Sequence, residues 1–366
     1  MAEPFKNFID AAALRRLAAQ LTAGTPDFDG PGFVAAAEPG LEALELKGRV
    51  RHIASVLRPR LPEAWPEALS VLLAGMGAPL SDTDAVSANF YLWPLVQVVE
   101  EHGLSHPEAS LSALRAMTRR FTAEFAVRPY LQQHPDVAWP MVTAWTEDDD
   151  VHVRRLASEG SRPRLPWGRR LVGTTARGLA IIECLKDDPE RYVQKSVANH
   201  VNDVSRDDPR AALALARRWS DGAPARRQWI VRHGLRSLIK AGDADALALV
   251  GFEPPQVTVS DLSISADTIP IGASFVVSAT IAARTGSAQA LMVDVIFDMQ
   301  RKRGRSRKVF KAGQRTLAGG ESWQWSHTLS LRPITTRRYY PGEHSVTLQI
   351  NGRASGTIHF TLTAPE

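Results

Sequence analysis

The chain has 366 residues, 44% hydrophobic and 23% charged, a size and balance that suit two soluble globular domains, each with its own core. A single cysteine cannot form an internal disulfide or a cysteine-cluster zinc site, which fits a reducing cytoplasm, and the lack of any run of about 18 apolar residues excludes a membrane span. The net charge of +5 is uneven: residues 1–110 hold 8 Lys/Arg against 14 Asp/Glu, residues 111–255 hold 23 against 18, and residues 256–366 hold 13 against 7, so the later two thirds suit a polyanion.

From Phe5 to about Val250 the pattern is helical. Leu14, Leu17 and Leu21 recur at helical spacing, and Ile53, Val56, Leu57 and Leu61 follow, in a background of Ala, Leu and Arg. The connections carry Pro, Gly and Asp. Two Asp-Asp-Pro runs, at 187–189 and 207–209, read as helix starts in which a carboxylate caps orphan amides and Pro occupies the first turn. They lie twenty residues apart, one helix plus a turn, the sequence shape of HEAT-like repeats. Between them Val193, Val197, Val201 and Val204 form an apolar stripe, which leaves Lys195, Asn199, Asn202, Asp203 and Arg206 on another face. Ile181, Ile182 and Leu185 around Cys184 predict a buried thiol.

Residues 153–167, VRRLASEGSRPRLPW, begin as a basic helix and turn into a proline-stiffened bend. Arg154, Arg155, Arg162 and Arg164 suit phosphate oxygens, Glu159 a developing cation, and Trp167 the face of a sugar or base. Glu124 stands one helical turn before Arg128, and Asp203 one turn after Asn199. Taken singly these read as ordinary surface: an i,i+4 pair of Glu124 with Arg128, a surface acid at Glu159, a solvated face at Asp203.

The character changes at residues 251–255, GFEPP, a linker. Beyond it the period becomes two: Phe275, Val277, Ala279 and Ile281 alternate with Val276, Ser278 and Thr280, and similar runs surround Val293, Val346 and Ile358. Six or seven short strands predict an all-β immunoglobulin-like sandwich over residues 256–366, after a HEAT-like helical-repeat solenoid over residues 1–252. Residues 301–308 hold six cations around Gly304 and predict a hairpin tip, with Arg303, Arg305 and Lys308 as candidate phosphate contacts. No Gly-rich phosphate loop, HExxH, cysteine pair or GxSxG occurs, and the ten histidines show no ligand spacing, so no metal or organic cofactor is expected.

The run RRLASEGSRPRLPW (154–167) resembles the signature segment of AlkC-type DNA alkylation repair glycosylases, which are similar to the AlkD-type HEAT-like enzymes. AEPFKN (2–7), AEFAVRPY (123–130) and VANHVNDVS (197–205) resemble further segments of that family, in the same order. The resemblance implies a monofunctional enzyme that removes 3-methylcytosine and 3-methyladenine from double-stranded DNA without a conventional flipped-base pocket. It implies Glu159 and Trp167 at the active site, with Glu124 and Asp203 as further catalytic candidates. Arg154, Arg155, Arg162, Arg164 and Asn199 are then candidates for the DNA contact. It also implies an immunoglobulin-like extension that embraces the duplex from the other side. The chemistry agrees with the residues: an alkylated base is already cationic and leaves easily, the sugar becomes oxocarbenium-like, and carboxylates stabilise it and position water. The expected protein is a cytoplasmic monomer. A non-catalytic DNA-binding scaffold is the alternative, and a protein–protein adaptor a third reading.

Overall fold

The computed structural model describes residues 4–83, 85–335 and 337–365; Ala2 and Glu3 of the opening run lie outside the described residues. A 3-10 turn, Phe5–Phe8, leads into α1 (Ala11–Gly24), α2 (Gly30–Ala37), α3 (Leu46–Leu57), α4 (Trp65–Ala74) and α5 (Trp93–His102). There follow α6 (Pro107–Thr118), α7 (Val127–Gln133), α8 (Pro135–Ala144), α9 (Val151–Gly160) and α10 (Thr175–Cys184). The last helices are α11 (Arg191–Asp207), α12 (Pro209–Ser220), α13 (Ala225–Gly234), α14 (Arg236–Ala241) and α15 (Ala244–Ala248). Helices pack on near neighbours in the chain, within three positions: α1 on α2 and α4, α4 on α6, α6 on α8, α8 on α10. That is the neighbour-on-neighbour packing of a helical-repeat array, in which no repeat buries its apolar face alone.

The cap chemistry follows the residues. Asp10 accepts from the Ala13 amide at 2.8 Å and starts α1, whose Leu14, Leu17 and Leu21 are buried. Asp188 accepts from the Glu190 amide at 2.8 Å just before α11, and Asp208 from the Ala211 amide at 3.0 Å at α12, with Pro209 in the first turn. Cys184 is exposed, contrary to expectation: at the end of α10, Ile181, Ile182 and Leu185 take the buried side and the thiol falls on the other.

The chain forms two compact units. One holds the residues up to Val204 with Pro224–Ile230; the other holds Ser205–Ala223 with the chain from Val231 onward. Helix gives way to strand between Ala248 and Val257, so the second unit contains terminal helices as well as strands. Its strands are β1 (Val257–Ile264), β2 (Thr268–Pro270), β3 (Ser274–Ala283), β4 (Gln289–Gln300), β5 (Arg305–Leu317), β6 (Ser322–Ser330), β7 (Gly342–Ile350) and β8 (Arg353–Thr363).

These eight strands form an immunoglobulin-like sandwich of two sheets, ordered β1-β3-β6 and β2-β8-β7-β4-β5. Phe275, Val277, Trp325, Val295, Phe297, Leu348 and Phe360 fill its core. The expectation of six or seven strands missed the short β2 and undercounted polar edge strands. β5 is the second arm of the basic hairpin, whose turn holds Arg303 and a left-handed Gly304 at φ 70°. Two glycines join the terminal helices to this sandwich. A Cβ on Gly352 would lie 2.3 Å from the Gly242 carbonyl oxygen, so the two backbones touch where no side chain fits. Asn351 adds a tie, donating to the Glu253 and Ala290 carbonyls at 2.7 and 2.9 Å.

Candidate active site

The end of α9 sets the site. Its first turn is capped by Asp150, which accepts from the His152 amide at 2.9 Å. Its last turn is buried through Ser158, Glu159 and Gly160. A Cβ at Gly160 would stand 2.4 Å from Val127, so glycine lets the end of α9 lie against the start of α7. That contact brings Glu159 beside Glu124, which sits in the turn just before α7. The bend after α9 is fastened from below by Arg128, which is 1% exposed. Its guanidinium donates to the Arg169, Arg162, Gly160 and Pro163 carbonyls at 2.5, 2.7, 2.9 and 3.4 Å. The expected Glu124–Arg128 helical pair is therefore not formed: Glu124 lies outside the helix, and Arg128 spends its donors on backbone carbonyls. Burial lowers the Arg128 pKa to about 10, with Arg162 adding to the effect, so it stays charged at neutral pH.

Three carboxylates and two guanidiniums meet above this bend. Arg155 donates to Glu124 Oε2 at 2.6 Å and to Thr122 Oγ1 at 2.8 Å, and lies 3.5 Å from Glu159 Oε1. Arg162 donates to Glu159 Oε1 at 2.5 Å and to Asp203 Oδ2 at 2.7 Å. Ser196 Oγ donates to Glu159 Oε2 at 2.6 Å. Glu159 thus has both oxygens engaged, and Glu124 meets Arg155 through Oε2. Glu124, Glu159 and Asp203 are 8%, 6% and 4% exposed, so neither the surface acid nor the solvated face describes them.

Burial and pairing push the two glutamates apart. Burial lifts the Glu124 carboxyl above the usual glutamate range, and Arg155 only partly offsets it. Burial acts on Glu159 too, but Arg155 and Arg162 together outweigh it and hold its carboxyl low. His200 lies beneath the cluster, fully buried. It donates from Nδ1 to the Ser158 carbonyl at 3.2 Å, and its Nε2 has no partner among the described residues. Burial and then Arg162 depress its pKa to about 3.

The other expected site residues are placed as follows. Arg154 is turned to Asp188 Oδ2 at 2.7 Å and to the Asp148 and Asp149 carbonyls. Arg155 and Arg162 are committed to carboxylates inside the protein, where a phosphate would have to displace a buried ion pair. Arg164 and Asn199 are half-buried. Asn202 and Asp203, expected on an open face of α11, are buried, because that helix is covered around more of its circumference than the valine stripe alone implies. Trp167 is 53% exposed, with φ 65°, and Lys47 donates to its carbonyl. In the other unit Arg305 pairs with Asp298 at 3.0 Å, Lys308 lies over the Phe310 ring, and Arg303 is exposed at the hairpin turn.

Comparison with known proteins adds to this geometry. A family model described as "Uncharacterised protein YhaZ, C-terminal Ig-like domain" matches residues 258–364. The chain is 36% identical over 324 residues to the uncharacterized protein YhaZ of Bacillus subtilis (strain 168), covering 87% of each. The solved structure of Pseudomonas fluorescens alkylpurine DNA glycosylase AlkC, bound to DNA containing an abasic site analog, is 35% identical. It matches 99% of this chain and 100% of its own, with a TM-score of 0.89. The chain belongs to the AlkC family. In this AlkC-family chain Tyr192, Ser196 and His200 also lie at the cluster, beyond the residues expected from sequence. A signal was available: Tyr192, Ser196, Asn199 and Asp203 recur at i, i+4, i+7 and i+11, one face of α11 turned to the carboxylates. The Arg155 guanidinium lies 5.2 Å from the Tyr192 ring centre.

Proposed function

We propose that this AlkC-family chain is a monofunctional DNA glycosylase that hydrolyses the N-glycosidic bond of cationic N3-alkylated bases, 3-methylcytosine and 3-methyladenine, in double-stranded DNA. The observation that carries the reading is the buried set of Glu124, Glu159 and Asp203, linked through Arg155 and Arg162, in a chain alike over 99% of its length to an alkylpurine DNA glycosylase. In this reading Glu159, ionised and with both oxygens held, is the fixed anion that stabilises the oxocarbenium-like sugar. Glu124, its carboxyl lifted above the usual glutamate range by burial, orients and deprotonates the attacking water. Asp203 holds Arg162 against Glu159. Trp167 offers an indole face to the cationic base. The base leaves as a neutral group, so no acid is needed to expel it, and contact with the lesion does not require a flipped-base pocket.

Residues 1–252 carry this chemistry in our reading, and residues 256–366 add a second contact with the duplex through Arg303, Arg305 and Lys308. The protein acts as a monomer in the cytoplasm, and among the described residues no helix is long and apolar enough to cross a membrane. The test is base release from duplex DNA treated with a methylating agent, with freed bases resolved by chromatography in the presence of a chelator. Release of 3-methylcytosine or 3-methyladenine is expected. No release, with salt-sensitive DNA binding intact, would leave a non-catalytic DNA-binding protein.

A further inference from the structure

Trp167 holds a conformation that a tryptophan does not choose. Its φ of 65° lies in the left-handed region, disfavoured for any side chain with a Cβ, and persists where the surroundings enforce it. Its backbone is held by Lys47, which donates to its carbonyl, and by the Gly168 amide, which closes on the Leu165 carbonyl at 2.9 Å. Its ring needs a separate support, because 53% of the residue is in solvent.

That support comes from the start of the chain. The Phe5 ring meets the indole edge to face, with centroids 5.6 Å apart and planes at 75°. Phe5 in turn stacks on Phe90 at 5.9 Å, and Phe90 abuts the buried rings of Trp93 and Phe121 at 6.1 and 5.6 Å. Trp93 stacks on Phe125 at 5.1 Å, and Lys47 Nζ sits 5.4 Å from the Phe125 ring centre. The contacts form a closed circuit: indole, Phe5, Phe90, Trp93, Phe125, Lys47 and back to the Trp167 carbonyl. Phe125 directly follows Glu124, so the circuit also reaches the carboxylates.

Core burial does not account for Phe5, which is 51% exposed. Yet the turn carrying it is pinned. Arg49, itself 5% exposed, donates to the Lys6 and Ile9 carbonyls at 3.1 and 3.0 Å and to the Leu44 and Glu42 carbonyls at 2.9 Å. Lys6 adds an ion pair to Glu45 at 2.8 Å. A buried arginine thus fixes a turn whose aromatic ring stays half in water beside a strained, half-exposed tryptophan.

We propose that Phe5 is a positioning residue for Trp167, and that the turn Phe5–Phe8 is thereby part of the lesion site. The catalytic half of the proposal rests on the glycosylase reading above; the positioning half does not. The test uses the full chain labelled with 5-fluorotryptophan, the Trp167 fluorine resonance being assigned with Trp167→Phe. In Phe5→Ala that resonance moves to the position of free, solvated fluorotryptophan. The single-turnover rate of base release falls about tenfold, the scale of one lost aromatic pair, while duplex affinity stays within about twofold. Phe5→Tyr restores both. An unmoved resonance overturns the proposal, and so does a moved resonance with an unchanged rate. If circular dichroism shows Phe5→Ala misfolded, Phe5→Leu, which keeps the bulk and removes the ring, gives the same readout. Absence of base release by the wild type would sink the glycosylase reading and leave the fluorine result to decide the positioning.

Discussion

Replacing Glu159 with glutamine is the most direct probe of the cluster, because it removes a charge and little else. The amide oxygen can still accept from Arg162, now 2.5 Å away, and the amide N–H can donate to Ser196, now 2.6 Å away. Each guanidinium also keeps a carboxylate, Arg162 through Asp203 and Arg155 through Glu124. Breaking a buried ion pair outright costs about 3–5 kcal/mol. With the second partners retained, the expected stability loss is about 1–2 kcal/mol, a few degrees of melting temperature. The effect on chemistry is larger. A fixed charge aimed at the developing cation is worth about 10²–10³ in rate on the scale of a lost transition-state contact. Single-turnover base release and duplex binding by anisotropy should therefore separate, with the rate down by that factor and affinity nearly unchanged. A rate within about tenfold of wild type would refute the idea that the Glu159 charge stabilises the sugar.

Glu124 must be ionised to take a proton from water. Since burial lifts its carboxyl, the rate should fall as pH drops through a pKa above 4.5, and an acid limb at or below that value would remove Glu124 as the base. His200 is depressed from 6.5 to about 3, so its contribution to stability is present above pH 6.5 and is lost as pH falls. Between pH 7 and 5 that amounts to about 2 kcal/mol, read as the difference in urea unfolding between wild type and His200→Gln; equal pH slopes would contradict it. Replacing Arg303, Arg305 and Lys308 with alanine should weaken duplex binding and flatten the salt slope by about two rather than three, because Arg305 is partly neutralised by Asp298. An unchanged slope would put the hairpin away from DNA.

Much of this fold was legible because its rules are local. The caps at Asp188 and Asp208 and the alternation of Phe275 to Ile281 follow directly from sequence spacing. β5 and β6 were harder to read, since edge strands carry Arg, Lys, Ser and Gln on faces that alternate against only one covered side. The structure brings Glu124, Glu159 and Asp203 together, in surroundings that their sequence neighbours did not foretell. Whether a glutamate is surface or buried depends on what folds against it: Arg155 and Arg162 lie within a turn of Glu159 in the chain, but Ser196, and the Glu124 and Asp203 that share those guanidiniums, arrive from elsewhere. The same tertiary approach diverts Arg155 and Arg162 from an expected role at phosphate into internal pairs. Cys184 shows the converse: apolar neighbours in sequence do not bury a residue that lies on the other side of its helix.

The touching backbones of Gly242 and Gly352 have a consequence for how this architecture can be inherited. Any side chain at residue 352 would meet the main chain of residue 242, so neither position can drift independently while the last helices and the sandwich stay docked. A natural recombination or truncation at residues 251–255 would leave that half-joint behind on each piece. Gly242, at φ 82°, would still favour glycine for its own turn, but the steric demand on its partner would vanish. The glycine pair therefore acts as a seam, joining the terminal helices and the strands into one packed unit that crosses the linker between them.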